Sequence, residues 1–275
     1  MKDLARRLPT TVVLLAFAYA AIEYLPSLPF AVLLYAIVSA AVFEFVRLSR
    51  PRRYSLPLML GNGALIAFAF LIPPPPAASA LESPLALALA VMVVSYGLYF
   101  LFALRGGEEL EHFVRDLGVH FLSSLYLFFP LFFIWALREV HPHLLFYLIV
   151  VIAVGDSGAY FVGSAIGRRK IYPLASPKKS LEGLLAGILT AAAAGWLAIV
   201  VFPLAIAPWR AMLTGAALGW ISQLSDPVES LFKRAAGVKD SGAWLPGHGG
   251  VLDRLDSYIF CAPALMFIQA FFWRG

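Results

Sequence analysis

Apolar positions along this chain fall into long unbroken runs rather than into stripes of helical or strand period. A run of about 20 residues is the length a bilayer core demands of a helix. About nine such runs can be marked off. They cover roughly residues 9–25, 28–47, 56–73, 84–104, 118–137, 143–166, 183–203, 208–232 and 257–273. Prolines at Pro26, Pro29 and Pro73 to Pro76 fall at or between the ends of runs, where tight turns are expected. A membrane β-barrel would show short alternating segments instead. The pattern therefore predicts an all-α, polytopic integral membrane protein of about nine transmembrane helices.

Composition agrees. Of 275 residues, 61% are hydrophobic and 13% charged, too few charges for a soluble protein to cover that much apolar surface. Lys2, Arg6 and Arg7 precede the first run as they would in a signal peptide, but no small-residue cleavage site follows, so the run reads as a retained helix. Cys261 is the single cysteine; an intrachain disulfide is excluded and redox chemistry is not expected.

The net charge of +5 matters less than its placement. With nine spans, the amino terminus shares a side with the loops that hold Arg47, Arg50, Arg52, Arg53, Arg105, Arg115, Arg168, Arg169, Lys170, Lys178, Lys179, Lys233, Arg234, Lys239 and Arg254. The other side has Arg138, Arg210 and Arg274. That bias puts the amino terminus in the cytoplasm. No internal repeat stands out. Three regions follow: packing or lipid-facing helices over 1–83, middle helices over 84–140, and a catalytic part with polar cytoplasmic loops over 141–275.

Ionisable groups at bilayer depth cost roughly 3 kcal/mol or more and usually serve function. Asp156, in Gly155-Asp156-Ser157-Gly158, lies late in the sixth run. Asp226 and Glu229, near the end of the eighth, are three apart and share a helix face, which Lys233 continues. Glu229 reads equally well as the neutralising partner of Lys233. Asp156 also fits a helix contact.

From Ser230 to Asp256 the chain reads SLFKRAAGVKDSGAWLPGHGGVLDRLD. Lys233, Arg234, Lys239 and Arg254 suit phosphate oxygens, and Asp240, Asp253 and Asp256 suit a hard divalent cation. Gly247, Gly249 and Gly250 let backbone approach a ligand. This is equipment for nucleotidyl transfer, where alignment and charge neutralisation do most of the catalysis. A solvated loop of balanced charge would have a similar composition.

The order of residues decides between them. Ser230, Lys233, Arg234, Lys239, Asp240, Gly242, Leu245, Pro246, His248, Gly249, Gly250, Asp253, Arg254 and Asp256 stand as in the signature of the phosphatidate cytidylyltransferases (CDP-diacylglycerol synthases), which the run resembles. Asp156 to Phe161, Gly163, Gly167 and Ser176 to Gly183 are similar to that family's other polar segment, with Ser180 where threonine and Leu181 where an aromatic is more usual. One departure is Ser225-Asp226-Pro227, where the family usually has Gly-Asp-Leu. Pro227 removes a backbone donor beside the acid.

The resemblance implies CTP and phosphatidic acid as substrates and CDP-diacylglycerol and pyrophosphate as products, in phospholipid biosynthesis at a cell membrane, the bacterial inner membrane by expectation. With the residue chemistry, it implies Asp226, Asp253 and Asp256 as ligands of Mg²⁺, one or two cations, and Lys233 beside them as catalytic. Ser176, Lys178, Lys179, Ser180, Lys233, Arg234, Lys239, His248 and Arg254 would bind CTP or the lipid phosphate. Asp156, Glu182, Glu229 and Asp240 would support them. His248 has no second histidine at ligand spacing and reads as a positioning residue. Expected partners are the bilayer and, by packing of front-half helices, a second copy; no nucleic acid is expected. Rival readings are a CTP-dependent transferase for another membrane lipid, a transporter, and a structural subunit. Transporters often show paired broken helices, which are not seen here.

Overall fold

A computed structural model describes residues 15–49, 56–71, 90, 93–94, 96–97, 110–242 and 249–273. Its helices are α1 (Leu15–Tyr24), α2 (Ser27–Ser49), α3 (Leu56–Leu71), α4 (Leu110–Leu122), α5 (Phe129–Val140), α6 (Pro142–Ile166), α7 (Leu181–Val201), α8 (Pro208–Ala235) and α9 (Leu252–Phe271). A π-helical turn (Ser123–Phe128) joins α4 and α5 into one rod without a change of backbone region. Among the described residues, four helical stretches are long and apolar enough to cross a membrane: Ser27–Ser49, Arg115–Val140, Pro142–Ile166 and Leu181–Val201.

The expected runs over 28–47, 56–73, 118–137, 143–166, 183–203, 208–232 and 257–273 all coincide with helices, with ends shifted by a few residues. Most of the run at 84–104, and the start of the first, lie outside the described residues. One element was not foreseen. Strands β1 (Lys170–Tyr172) and β2 (Ser176–Ser180) pair antiparallel, Lys170 with Ser180 and Tyr172 with Ser176. This hairpin fills the polar gap between α6 and α7, too short for another span.

Local chemistry explains the hairpin's docking. Ser180 caps α7, its Oγ accepting from Gly183 N at 3.2 Å, so one orphan amide of the first turn is satisfied. Glu182 accepts from the amides of Arg168 and Arg169 at 3.1 and 3.3 Å, and Leu181 N donates to Arg169 O. The hairpin therefore leaves α6 and enters α7 at a fixed angle.

Helices α6, α7 and α8 pack backbone to backbone through small residues. A side chain at Gly215 would collide with the Ala191 carbonyl, and one at Gly195 with that of Ala211. The buried Tyr147 hydroxyl closes the same seam by donating to Ala211 O at 2.6 Å. The wider core runs from Val38, Val42 and Phe45 of α2 through Leu131 and Phe132 of α5 to Leu265 of α9. Near the carboxyl end of α8, Phe232 meets Phe45 and Tyr126 with ring centroids 5.3 and 5.6 Å apart. The carboxyl ends of α2 and α8, the start of α9 and the hairpin thus gather the polar residues.

Candidate active site

A cavity of about 460 Å³ opens between α6, the hairpin, the start of α7 and α8. Asp156 and Asp226 line it from the helices; Lys170, Lys178 and Lys179 line it from the hairpin. Two carboxylates and three cations therefore share the wall of one cavity, with Lys179 paired directly to Asp226. Ser180 also lines it; its hydroxyl is the α7 cap, so any ligand contact shares that oxygen.

Each acid is held by neighbours on other elements. Asp156 Oδ1 accepts from Gln223 Nε2 at 2.7 Å and from Ser222 Oγ at 3.1 Å. Asp226 Oδ1 accepts from Ser257 Oγ at 3.0 Å, and its Oδ2 receives Lys179 Nζ at 2.7 Å. Ser222 and Ser257 hydroxyls meet at 3.3 Å, which joins the two acids through α8 and α9. Next to Ser257, Asp256 accepts from that residue's amide at 2.7 Å, and Ser225 Oγ donates to the Asp256 carbonyl.

A second polar centre lies further along the α8–α9 seam. The Lys233 ammonium bridges Glu229, one turn before it on α8, and Asp253 Oδ1 at 2.7 Å. Asp253 Oδ2 accepts from Gly250 N at 2.8 Å and Ser241 N at 3.1 Å. Burial pushes the Asp253 carboxyl up, but Lys233 and these two amides outweigh it and hold its pKa below the usual carboxylate value. Gly249 turns the chain here at φ +81°, a conformation that favours glycine.

Glu44 of α2 completes this centre. Only 1% exposed, its Oε2 accepts from Ser241 Oγ and Leu252 N, both at 2.9 Å. Side chains at Gly242 or Gly250 would strike the Glu44 carboxyl. The glycines thus let the backbone at Gly242 and Gly250 close on a buried acid, which in turn holds Ser241 and Leu252.

The expected residues divide between these places. Asp156, Asp226, Lys178, Lys179 and Ser180 gather at the cavity. Lys233, Glu229 and Asp253 form the second centre. Asp256 lies between them on α9. Arg234 donates to Val238 O at 3.2 Å, and Lys239, Asp240 and Arg254 are exposed around the loop. Ser176 opens β2 opposite Tyr172, and Glu182 ties the hairpin to α7. His248 lies outside the described residues. Among the described residues, no three His, Cys, Asp or Glu side chains stand grouped closely enough to hold a metal; Asp226 and Asp253 engage different lysines.

Sequence reasoning gave no site role to Lys170, Ser222, Gln223, Ser257 or Glu44. Gln223 and Ser222 precede Asp226 by three and four positions, a spacing that places them on its helix face. Glu44 was visible as an acid inside an apolar run, the same signal that marked Asp156.

Comparison with known proteins adds an independent line. Residues 5–272 match the sequence pattern of the Cytidylyltransferase family. The chain is 34% identical over 275 residues to a phosphatidate cytidylyltransferase of Bacillus subtilis, covering 99% of this chain and 100% of that protein. Phosphatidate cytidylyltransferases of Staphylococcus saprophyticus and Staphylococcus haemolyticus are 35% and 36% identical over 150 residues, 54% of this chain and 58% of each of those proteins.

Proposed function

Because the chain belongs to the Cytidylyltransferase family, we propose that it transfers the cytidylyl group of CTP to phosphatidic acid. A phosphate oxygen of the lipid attacks the α-phosphorus of CTP. The new phosphorus–oxygen bond forms as the bond to the β-phosphate breaks, giving CDP-diacylglycerol and pyrophosphate. The attacking phosphate is already ionised, so alignment and cancellation of mutual negative charge are what the protein must supply.

The observation that carries this reading is the cavity whose wall Asp156 and Asp226 share with Lys170, Lys178 and Lys179. The lysines receive phosphate oxygens as they exchange their present acceptors, Asp226 for Lys179 and the Lys178 carbonyl for Lys170. Lys233, Arg234, Lys239 and Arg254, with His248, would hold the remaining phosphates from the loop side.

The donors suit Mg²⁺: the acids at the seam offer hard carboxylate oxygens, and no thiol or imidazole lines the cavity among the described residues. Asp226, Asp253 and Asp256 would hold the ion. Bound there, one or two Mg²⁺ ions would neutralise charge on the transferring phosphate.

The chain lies in a cell membrane as a multi-pass protein, the inner membrane in a bacterium, with about nine spans. The lysine and arginine bias supports a cytoplasmic amino terminus and site. CTP would arrive from that side and the lipid laterally.

Purified protein in detergent, given labelled CTP, Mg²⁺ and either phosphatidic acid or a polyprenyl phosphate, tests this. Labelled CDP-diacylglycerol and pyrophosphate in equal amounts are expected with phosphatidic acid. Label incorporated only with the polyprenyl acceptor, or no pyrophosphate with either, would sink it.

A further inference from the structure

Pro227 lies inside α8, immediately after Asp226. In an α-helix the amide of each residue donates to the carbonyl four positions earlier. Proline has no amide hydrogen, and its ring crowds that carbonyl. The carbonyl concerned is that of Gln223, so it has no main-chain donor from position 227. It has another partner: Lys179 Nζ donates to Gln223 O at 3.2 Å while donating to Asp226 Oδ2 at 2.7 Å. The Gln223 side chain is meanwhile committed to Asp156. One residue thus holds an acid with its amide and a lysine with its carbonyl, on the wall of the same cavity.

We propose that Pro227 is a positioning residue for Lys179, leaving the Gln223 carbonyl as a second, uncharged acceptor that fixes this lysine on the cavity wall. The carboxylate alone would not do this. A carboxylate that turns to another cation releases its lysine, whereas a carbonyl denied its helix partner continues to need a donor. When Lys179 gives up Asp226, the carbonyl keeps its ammonium where phosphate oxygens arrive. The lysine is then ordered before the nucleotide binds, which removes part of the entropy cost of binding. The role assigned to the phosphates rests on the reading of the cavity given above; the role of Pro227 toward Lys179 does not.

Full-length wild type, Pro227→Leu and Pro227→Ala are compared in detergent. Both substitutions restore the amide and favour helix. In the absence of CTP, acylation of each lysine is followed by mass spectrometry at fixed pH. Acylation of Lys179 is expected to rise about three- to tenfold, the range one ordinary net hydrogen bond supplies, while Lys170 and Lys178 keep their wild-type rates. The KM for CTP should rise by a similar factor with kcat nearly unchanged. An unchanged Lys179 rate overturns the proposal. So does an equal rise at Lys170, Lys178 and Lys179, which a loosened hairpin or a straightened helix would give. If Lys179 alone is freed and the KM for CTP stays put, the positioning does not serve the nucleotide. The labelling needs no substrate, so it keeps its meaning whichever lipid accepts the cytidylyl group.

Discussion

The two ends of the helix bundle treat positive charge differently. At the end away from the cavity, Arg138 donates to the carbonyls of Ile22, at 2.9 Å, and Leu25, and lies over the Phe30 ring at 4.7 Å. Arg210 donates to the Trp273 carbonyl at 3.1 Å. These cations finish the carboxyl ends of α1 and α9, where the helix dipole and unpaired carbonyls favour them. At the other end, Lys179 and Lys233 rest on the carboxylates Asp226, Glu229 and Asp253. A terminal carbonyl is neutral, and can replace its arginine only with another hydrogen-bond donor. A carboxylate can accept a metal while its lysine turns to a phosphate. The first arrangement closes helix ends, and the second leaves lysines paired to carboxylates.

Four substitutions test that contrast, from the largest expected effect to the smallest. Lys233→Met leaves the buried Glu229 without its cation, and breaking such a pair costs about 3–5 kcal/mol. Thermal unfolding in detergent should show it, and adding Glu229→Gln should recover much of the loss. If the single variant is as stable as wild type, the second centre is not a buried ion pair. Asp226→Asn should slow CDP-diacylglycerol formation at least a hundredfold, about 2.7 kcal/mol of barrier, with little change in unfolding temperature. Near-normal Mg²⁺-dependent turnover would remove Asp226 from the metal set.

Glu44→Ala deletes the acceptor of two hydrogen bonds under the loop, each contributing about 1 kcal/mol. Proteolysis within 241–252 should accelerate and turnover should fall, with Glu44→Gln retaining more of both than Ala. Equal protection of the loop in all three proteins would show that Glu44 does not anchor it. Arg138→Gln should cost about 1 kcal/mol in stability and leave the KM for CTP unchanged. A raised KM there would erase the distinction between the two ends.

Much of this was legible in the residues. Long apolar runs marked α2, α3 and α6 to α9 because a bilayer core imposes length and apolarity together. Asp156 and Asp226 were legible as acids inside apolar runs, and Glu229 with Lys233 as a pair at helical spacing. Glu44 was less so. It stands 197 positions from Ser241, and no local pattern announces a contact of that range. The hairpin was missed because its residues, Lys170 to Ser180, carry charge and proline rather than the alternation that marks a strand. Lys170 went unassigned for the same reason, since only strand pairing brings it beside Lys178.

The sequence by itself determined the class of protein, the order of its helices and the chemical kit, because hydropathy and spacing are local properties that one chain displays directly. Tertiary structure decided the grouping. It set Lys179 on Asp226 and Lys233 on Asp253, drew Glu44 beneath the loop, and gave the carbonyl left open by Pro227 a lysine from the hairpin. These are pairings between segments far apart in the chain. They depend on which small residues let α6, α7 and α8 close together, and so appear only once the helices have packed.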